Sequence, residues 1–200
     1  GFERSFGTFL GNGALCTAVA NGTAALHMAL LAAGVGPGDE VVIPSLTFVA
    51  DINVVRLVGA TPVLVDCTSY DDWSISPEGI AAAITTRTKA VLIVHYGGYA
   101  CDMDAILSAS RGKANGREIA LIEDAAHAPA ADYKGKACGT IGDIGCFSFF
   151  TNKNLSIGEG GMVSTRLEEV HEKIRHLRSH GMTSLTLDRY KGRAISYDVL

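Results

Sequence analysis

Short apolar runs alternate with helix-like segments along the chain, the pattern of an α/β fold with a mostly parallel sheet. Residues 23–33 are apolar all round, as in a largely buried helix; Asn21 or Thr23 can cap its start, and Gly34 is placed to end it. Val41, Val42 and Ile43 form a strand halted by Pro44, residues 48–58 a helix, and residues 62–66 the next strand. Ser76, Pro77 and Glu78 open a helix that runs to residue 84, with Ser as cap and Pro in the first turn. Residues 89–95 are β-branched and almost continuously apolar, as expected of a strand covered on both faces. A short helix at 102–110 and a polar turn at 111–117 lead to an apolar run at 119–122 that ends in Glu123 and Asp124. A second run, 144–150, carries one polar residue, Ser148; residues 162–165 return as a strand, and 167–179 form a charged, amphipathic helix. Residues 2–6 lie inside one more helix. No repeat or low-complexity linker interrupts the series, so residues 1–200 read as one domain.

Bulk composition narrows the class. With 48% hydrophobic and 19% charged residues the chain can bury a core, and its 23 glycines, spread along the sequence, imply many tight turns. A net charge of -4 without any basic block gives no reason to expect nucleic acid. The longest mainly apolar stretch, 24–35, is interrupted by His27 and too short to span a membrane. Five cysteines stand singly, with no C-x-x-C and an odd total, so neither a metal site nor a disulfide framework is expected, and a cytoplasmic protein with reduced thiols is.

Candidate chemistry collects at the strand exits. In an open α/β sheet, ligands bind at the carboxyl ends of the strands, which singles out residues 45–48, His95 with Tyr96, Asp124, and the loop carrying Lys153. That loop, Thr151-Asn152-Lys153-Asn154, is closed by Gly158, Gly160 and Gly161. A Lys amine forms a Schiff base with a carbonyl cofactor, and pyridoxal phosphate (PLP) needs such a Lys together with an Asp for its ring nitrogen. Gly22 and Thr23 open a helix whose free N–H groups suit a phosphate, although plain helix capping explains the same letters. Side chains alternate along a strand, so only one of Glu123 and Asp124 points into a site, and the other is free to face solvent. His95 either lines the site or is a satisfied core histidine, and Tyr96 and Tyr99 are candidate pocket residues.

The strings Asp124-Ala-Ala-His127, Phe147-Ser148-Phe149, Lys153-Asn154-Leu155 and Gly158-Glu-Gly-Gly161 resemble the DegT/DnrJ/EryC1/StrS family of PLP-dependent sugar aminotransferases. Asn21 to Leu26, Gly38-Asp-Glu-Val41 and Arg178-Ser-His-Gly181 extend the resemblance over nearly the whole chain. It implies a three-layer α/β sandwich with a mostly parallel central sheet, the large PLP-binding domain of fold type I. It also implies a longer parent protein, with residues 1–200 cut from it and a smaller C-terminal domain following; the end at 197–200 carries no terminating signal.

By that resemblance Lys153 holds PLP and moves the reaction's proton, while Asp124 keeps the ring nitrogen protonated. Gly22, Thr23 and Ser148 would bind its phosphate, Phe48 would stack on the ring, and His127 would pack beside the ring or its 3'-oxygen. Lys153 favours amino transfer over the dehydratase chemistry of relatives with His at this place. The implied substrates are an amino acid donor, glutamate or glutamine, and a nucleotide-linked keto-sugar, handled by a homodimer with shared active sites. Two alternatives stay open: another fold type I PLP enzyme acting on amino acids, and a non-catalytic regulator that keeps the fold. A dinucleotide-binding protein is disfavoured because no G-x-G-x-x-G follows any strand.

Overall fold

The computed structural model describes residues 1–182 apart from 112, 115 and 116, together with residue 191. Residues 197–200, and the expectation attached to them, lie outside this set. In chain order the elements are α1 (Phe2–Leu10), β1 (Leu15–Val19), α2 (Gly22–Ala32), β2 (Glu40–Pro44), α3 (Val49–Leu57), β3 (Thr61–Val65), α4 (Pro77–Ala83) and β4 (Thr88–Val94). They continue as α5 (Met103–Ser110), β5 (Lys113–Ala114), β6 (Arg117–Glu118), β7 (Ala120–Asp124), β8 (Asp132–Tyr133), β9 (Lys136–Ala137), β10 (Ile144–Ser148), β11 (Gly161–Thr165) and α6 (Glu168–Arg178).

A seven-stranded sheet in the order β1-β11-β10-β7-β4-β2-β3 forms the central layer. From β3 to β10 every pairing is parallel, and β11 runs antiparallel to both β10 and β1. Period-two alternation splits the strand side chains between two helical layers. Val41, Ile43, Leu92 and Ile122 pack under α2, α3 and α6. Val42, Val91, Ile93 and Leu121 pack under α4 and α5. A third cluster lies beneath α1, where Phe6 meets Phe147 and Phe149 edge-on.

Most boundaries follow from local chemistry. Asn21 caps α2 by accepting from Ala24 N–H at 2.8 Å, and Gly34, at φ 72°, lets Val35 N–H turn back to Leu30 C=O at 3.0 Å. Ser76 caps α4 through Gly79 N–H at 3.0 Å. The sequence reading differs from the fold in three places. It assigns no strand to 15–19 and no hairpin to 132–137, and it reads 111–117 as a turn where β5 pairs with β6. No helix among the described residues is long and apolar enough to cross a membrane.

Candidate active site

The exits of β2, β4, β7 and β10 lie along one edge of the sheet, with the chain order reversing direction at β2 and β4, where ligands of open α/β sheets bind. A cleft of about 520 Å³ opens there, within the size range of small-molecule sites. The residues expected to hold a cofactor all line it: Gly22, Thr23, Phe48, Asp124, His127, Ser148 and Lys153.

At one end of the cleft is the start of α2. The amides of Gly22 and Thr23 come too early in the helix to have intrahelical partners, and the positive end of the helix dipole points the same way. A methyl group on Gly22 would stand 2.8 Å from Ser148 Cβ and 3.2 Å from its Oγ, so only glycine lets this backbone approach the serine. Gly161 does the same for the neighbouring strand: its Cβ would meet Asn21 C=O at 2.5 Å. The result is a cradle of free N–H groups and one hydroxyl, the donor set that suits an anion. Ser148 Oγ also accepts from Phe150 N–H at 3.4 Å, a long bond that leaves the hydroxyl hydrogen free to turn.

Asp124 closes the cleft floor at the end of β7. Its Oδ1 accepts from Ala126 N–H at 2.9 Å. Burial pushes its carboxyl pKa up, and the Ala126 hydrogen bond with the nearby Lys153, His127 and His95 pulls it back. Such a carboxylate is set to meet a cation. His127 faces the edge of Tyr96 with ring centroids 6.2 Å apart, and its Nδ1 accepts from Gly97 N–H at 3.3 Å. Burial, then the charge of Lys153, pushes the His127 pKa down against the pull of Asp124, so a neutral ring is its state at pH 7. Phe48, the residue before α3, is 69% exposed at the mouth and therefore not a core residue.

Lys153 sits on a loop pinned at its neck. Phe149 donates its N–H to Gly160 C=O at 2.8 Å and accepts at its C=O from Ile157 N–H at 3.0 Å. A turn from Phe150 C=O to Lys153 N–H, 2.9 Å, fixes the lysine backbone. The half-buried side chain lines the cleft.

Glu123 does not face solvent. It lies on the opposite sheet face from Asp124 and is completely buried. Its Oε2 accepts from His95 Nε2 at 2.8 Å and Gly139 N–H at 2.7 Å, and its Oε1 from Ile141 and Gly142 N–H at 2.8 and 2.6 Å. Those backbone donors replace the hydration an exposed carboxylate would have, which is why it can be buried. His95 is the satisfied core histidine of the two readings: its Nδ1 accepts from Cys101 N–H at 3.2 Å, which leaves Nε2 as the donor to Glu123. Tyr96 lines the cleft, whereas Tyr99 is 82% exposed and outside the lining. Arg178 pairs with Glu3 and His180 lies away from the cleft. Thr47 and Asn152, singled out from the sequence only as parts of the 45–48 exit and the Lys153 loop, line the cleft wall with Glu159, and sequence reasoning missed Asp51 behind it. Thr47 and Asp51, four apart across a helix start, were the available signal.

These features belong to one class. A mostly parallel seven-stranded sheet between helical layers, with a buried Asp, a loop Lys and an anion cradle at its carboxyl edge, is the arrangement of the fold type I PLP-dependent aminotransferases. The chain belongs to the DegT/DnrJ/EryC1/StrS aminotransferase family, whose model matches residues 1–199. It is 45% identical over 196 residues to the spore coat polysaccharide biosynthesis protein SpsC of Bacillus subtilis, covering 98% of this chain and 49% of that protein. It is 46% identical over 183 residues to the GDP-perosamine synthase of Caulobacter vibrioides, covering 90% and 47%. Among solved structures, an aminotransferase from Psychrobacter cryohalolentis superposes with a TM-score of 0.87 at 39% identity, covering 100% of this chain and 49% of that one. Spr1654 of Streptococcus pneumoniae in its PLP-form gives 0.86 at 30% identity, covering 99% and 52%. The chain spans about half the length of the curated relatives it matches.

Proposed function

We propose that this chain is the cofactor-binding part of a PLP-dependent aminotransferase that moves an amino group from an amino acid, glutamate or glutamine, onto a nucleotide-linked keto-sugar. The observation that carries the reading is the convergence of Lys153, Asp124 and the Gly22–Ser148 cradle on one cleft. The residues fit the group: an anion cradle for its phosphate, a buried carboxylate for its ring nitrogen, and an amine for its carbonyl carbon. When bound, PLP supplies a ring that takes up the electron pair left by a broken C–H bond.

The protein residues do the rest. Thr23 hydroxyl, Ser148 hydroxyl and the first amides of α2 would hold the phosphate. Asp124, held by Ala126 N–H, would keep a proton on the ring nitrogen by presenting a negative charge in a dry place. Lys153 Nζ would anchor the cofactor and, once free, would serve as the base that takes up and returns the proton of the donor's α-carbon. Phe48, at the mouth, would stack on the ring and His127 would pack beside it, and both would exclude water.

The sugar substrate is supported by the 46% identity to a GDP-perosamine synthase. A homodimer with shared sites, in the cytoplasm, is part of the same reading. Phe48 and Phe150 on the cleft rim, 69% and 42% exposed, form an apolar edge that a second copy would cover.

The test is the visible absorption spectrum of the full-length protein with PLP. A band that bleaches when glutamate is added, and that Lys153→Ala lacks, is expected. A wild-type protein with no band overturns the reading.

A further inference from the structure

Asp51, in the first turn of α3, lies behind the cleft wall and has no part in the chemistry above. Its side chain is completely buried, and its Oδ1 is the one buried side-chain polar atom among the described residues without a hydrogen-bond partner. Its Oδ2 accepts a short hydrogen bond from the hydroxyl of Thr47, which lines the cleft. Its helix neighbours Ala50, Val54 and Val55 belong to one apolar cluster with Leu26, Ile43 and Val94 from α2, β2 and β4. The charge of Asp124, at the end of β7, acts on it, and its own charge acts on the Cys146 thiol of β10.

Two carboxyls that interact in so dry a place do not both ionise near neutral pH. Their partners decide which keeps the proton. Asp124 has the Ala126 N–H and the charge of Lys153 to stabilise a negative charge. Asp51 has the Thr47 hydroxyl and the positive end of α3, a weak effect against complete loss of hydration.

We infer that Asp51 and Asp124 share a single proton held on Asp51, which makes Asp51 the positioning acid that leaves Asp124 as the lone anion facing the cleft. The inference deepens the cofactor reading and rests on it, because a protonated ring nitrogen then meets one negative charge and forms one neutral pair. Burial first, and the charge of Asp124 second, push the Asp51 carboxyl up to about 8. Above that pH the proton leaves to solvent and the site carries a second, uncompensated charge.

The experiment is infrared spectroscopy of the full-length protein without cofactor, reading the C=O stretch of a protonated carboxylic acid from pH 5 to 10. The wild type should show this band at pH 7 and lose it with a midpoint about 8. Asp51→Asn should lack the band at pH 7, and Asp124→Asn should keep it with a lower midpoint, since the neighbouring charge is gone. No band in the wild type at pH 7, or one that Asp51→Asn leaves unchanged, overturns the proposal. As a second readout, the pH profile of PLP affinity, followed by cofactor absorbance, should break at the same midpoint in the wild type and not in Asp51→Asn. A protein that binds PLP through Lys153 but shows no acid band fails this inference alone; one with the acid band but no PLP absorbance fails the cofactor reading instead.

Discussion

Replacing Glu123 by Gln keeps the shape of the side chain and removes its charge, and the cost follows from its four donors. The carboxylate accepts from His95 Nε2 and from Gly139, Ile141 and Gly142 N–H, all between 2.6 and 2.8 Å. Gln keeps one acceptor oxygen, so one pair of these bonds survives. In the other, an NH₂ group confronts donors. If it replaces Oε1, the Ile141 and Gly142 amides are both orphaned. If it replaces Oε2, Gly139 is orphaned, and His95 can accept only by moving its proton to Nδ1, against Cys101 N–H. Each buried orphan costs about 1–3 kcal/mol and each charge-assisted bond lost about 1.5–3. The loss should therefore be roughly 3–5 kcal/mol, the range for breaking one partner of a buried pair, against a total stability of roughly 5–15. Urea denaturation of the full-length protein, wild type against Glu123→Gln, measures it, with Asp124→Asn as the reference for a cleft carboxylate. A loss below about 1 kcal/mol would refute the view that Glu123 fastens β4, β7 and the 139–142 segment together.

The remaining expectations concern the cleft and its acids. Gly22→Ala puts a Cβ 2.8 Å from Ser148 Cβ; it should cost about 1–3 kcal/mol of stability and at least tenfold in PLP affinity, read by cofactor titration. Asp124→Asn should still bind PLP but lower the rate of the amino-donor half-reaction by about 10²–10³, the effect of losing one preorganised charge, in single-turnover absorbance. Asp51 gives a pH dependence: its folded pKa is about 8 against an ordinary 3.8, so the folded state holds an extra proton between them. The stability this acid contributes is therefore complete below about pH 4 and lost as pH rises towards 8, by at most about 1.4 kcal/mol per pH unit. Denaturation of the unliganded full-length protein from pH 4 to 8 should show that decline, and Asp51→Asn should flatten it.

The sequence reading reached the sheet and its active edge because both rest on local signals. Apolar β-branched runs such as 89–95 announce covered parallel strands, and a polar residue directly after such a run stands at an exit. β1 escaped because residues 15–19 hold one threonine among small apolar residues, with a pairing partner at 161–165 that no local pattern reveals. Period two separated Glu123 from Asp124 but could not say what each would meet. The donors that make Glu123 a buried anchor come from 139–142 and His95, brought beside it by the crossing of β10 and β4. Asp51 escaped for the same reason: an acid in the first turn of a helix reads as a solvated residue favoured by the dipole. Only the packing of α3 against α2, β2 and β3 makes it dry.

Three buried carboxyls thus sit within one small region, and their partner sets divide the labour. Glu123 has four strong donors and no access to the cleft, so its charge is spent on holding the chain together. Asp124 has one backbone donor and looks into the cleft, so most of its field remains for a ligand. Asp51 has one hydroxyl and an orphan oxygen, which is too little to keep a charge and enough to keep a proton. Neutralising the first should destabilise the protein, neutralising the second should slow its chemistry, and neutralising the third should change only how both depend on pH. That ordering follows from counting donors at each oxygen, and a variant series that reversed it would show that burial alone, and not the partner set, governs these groups.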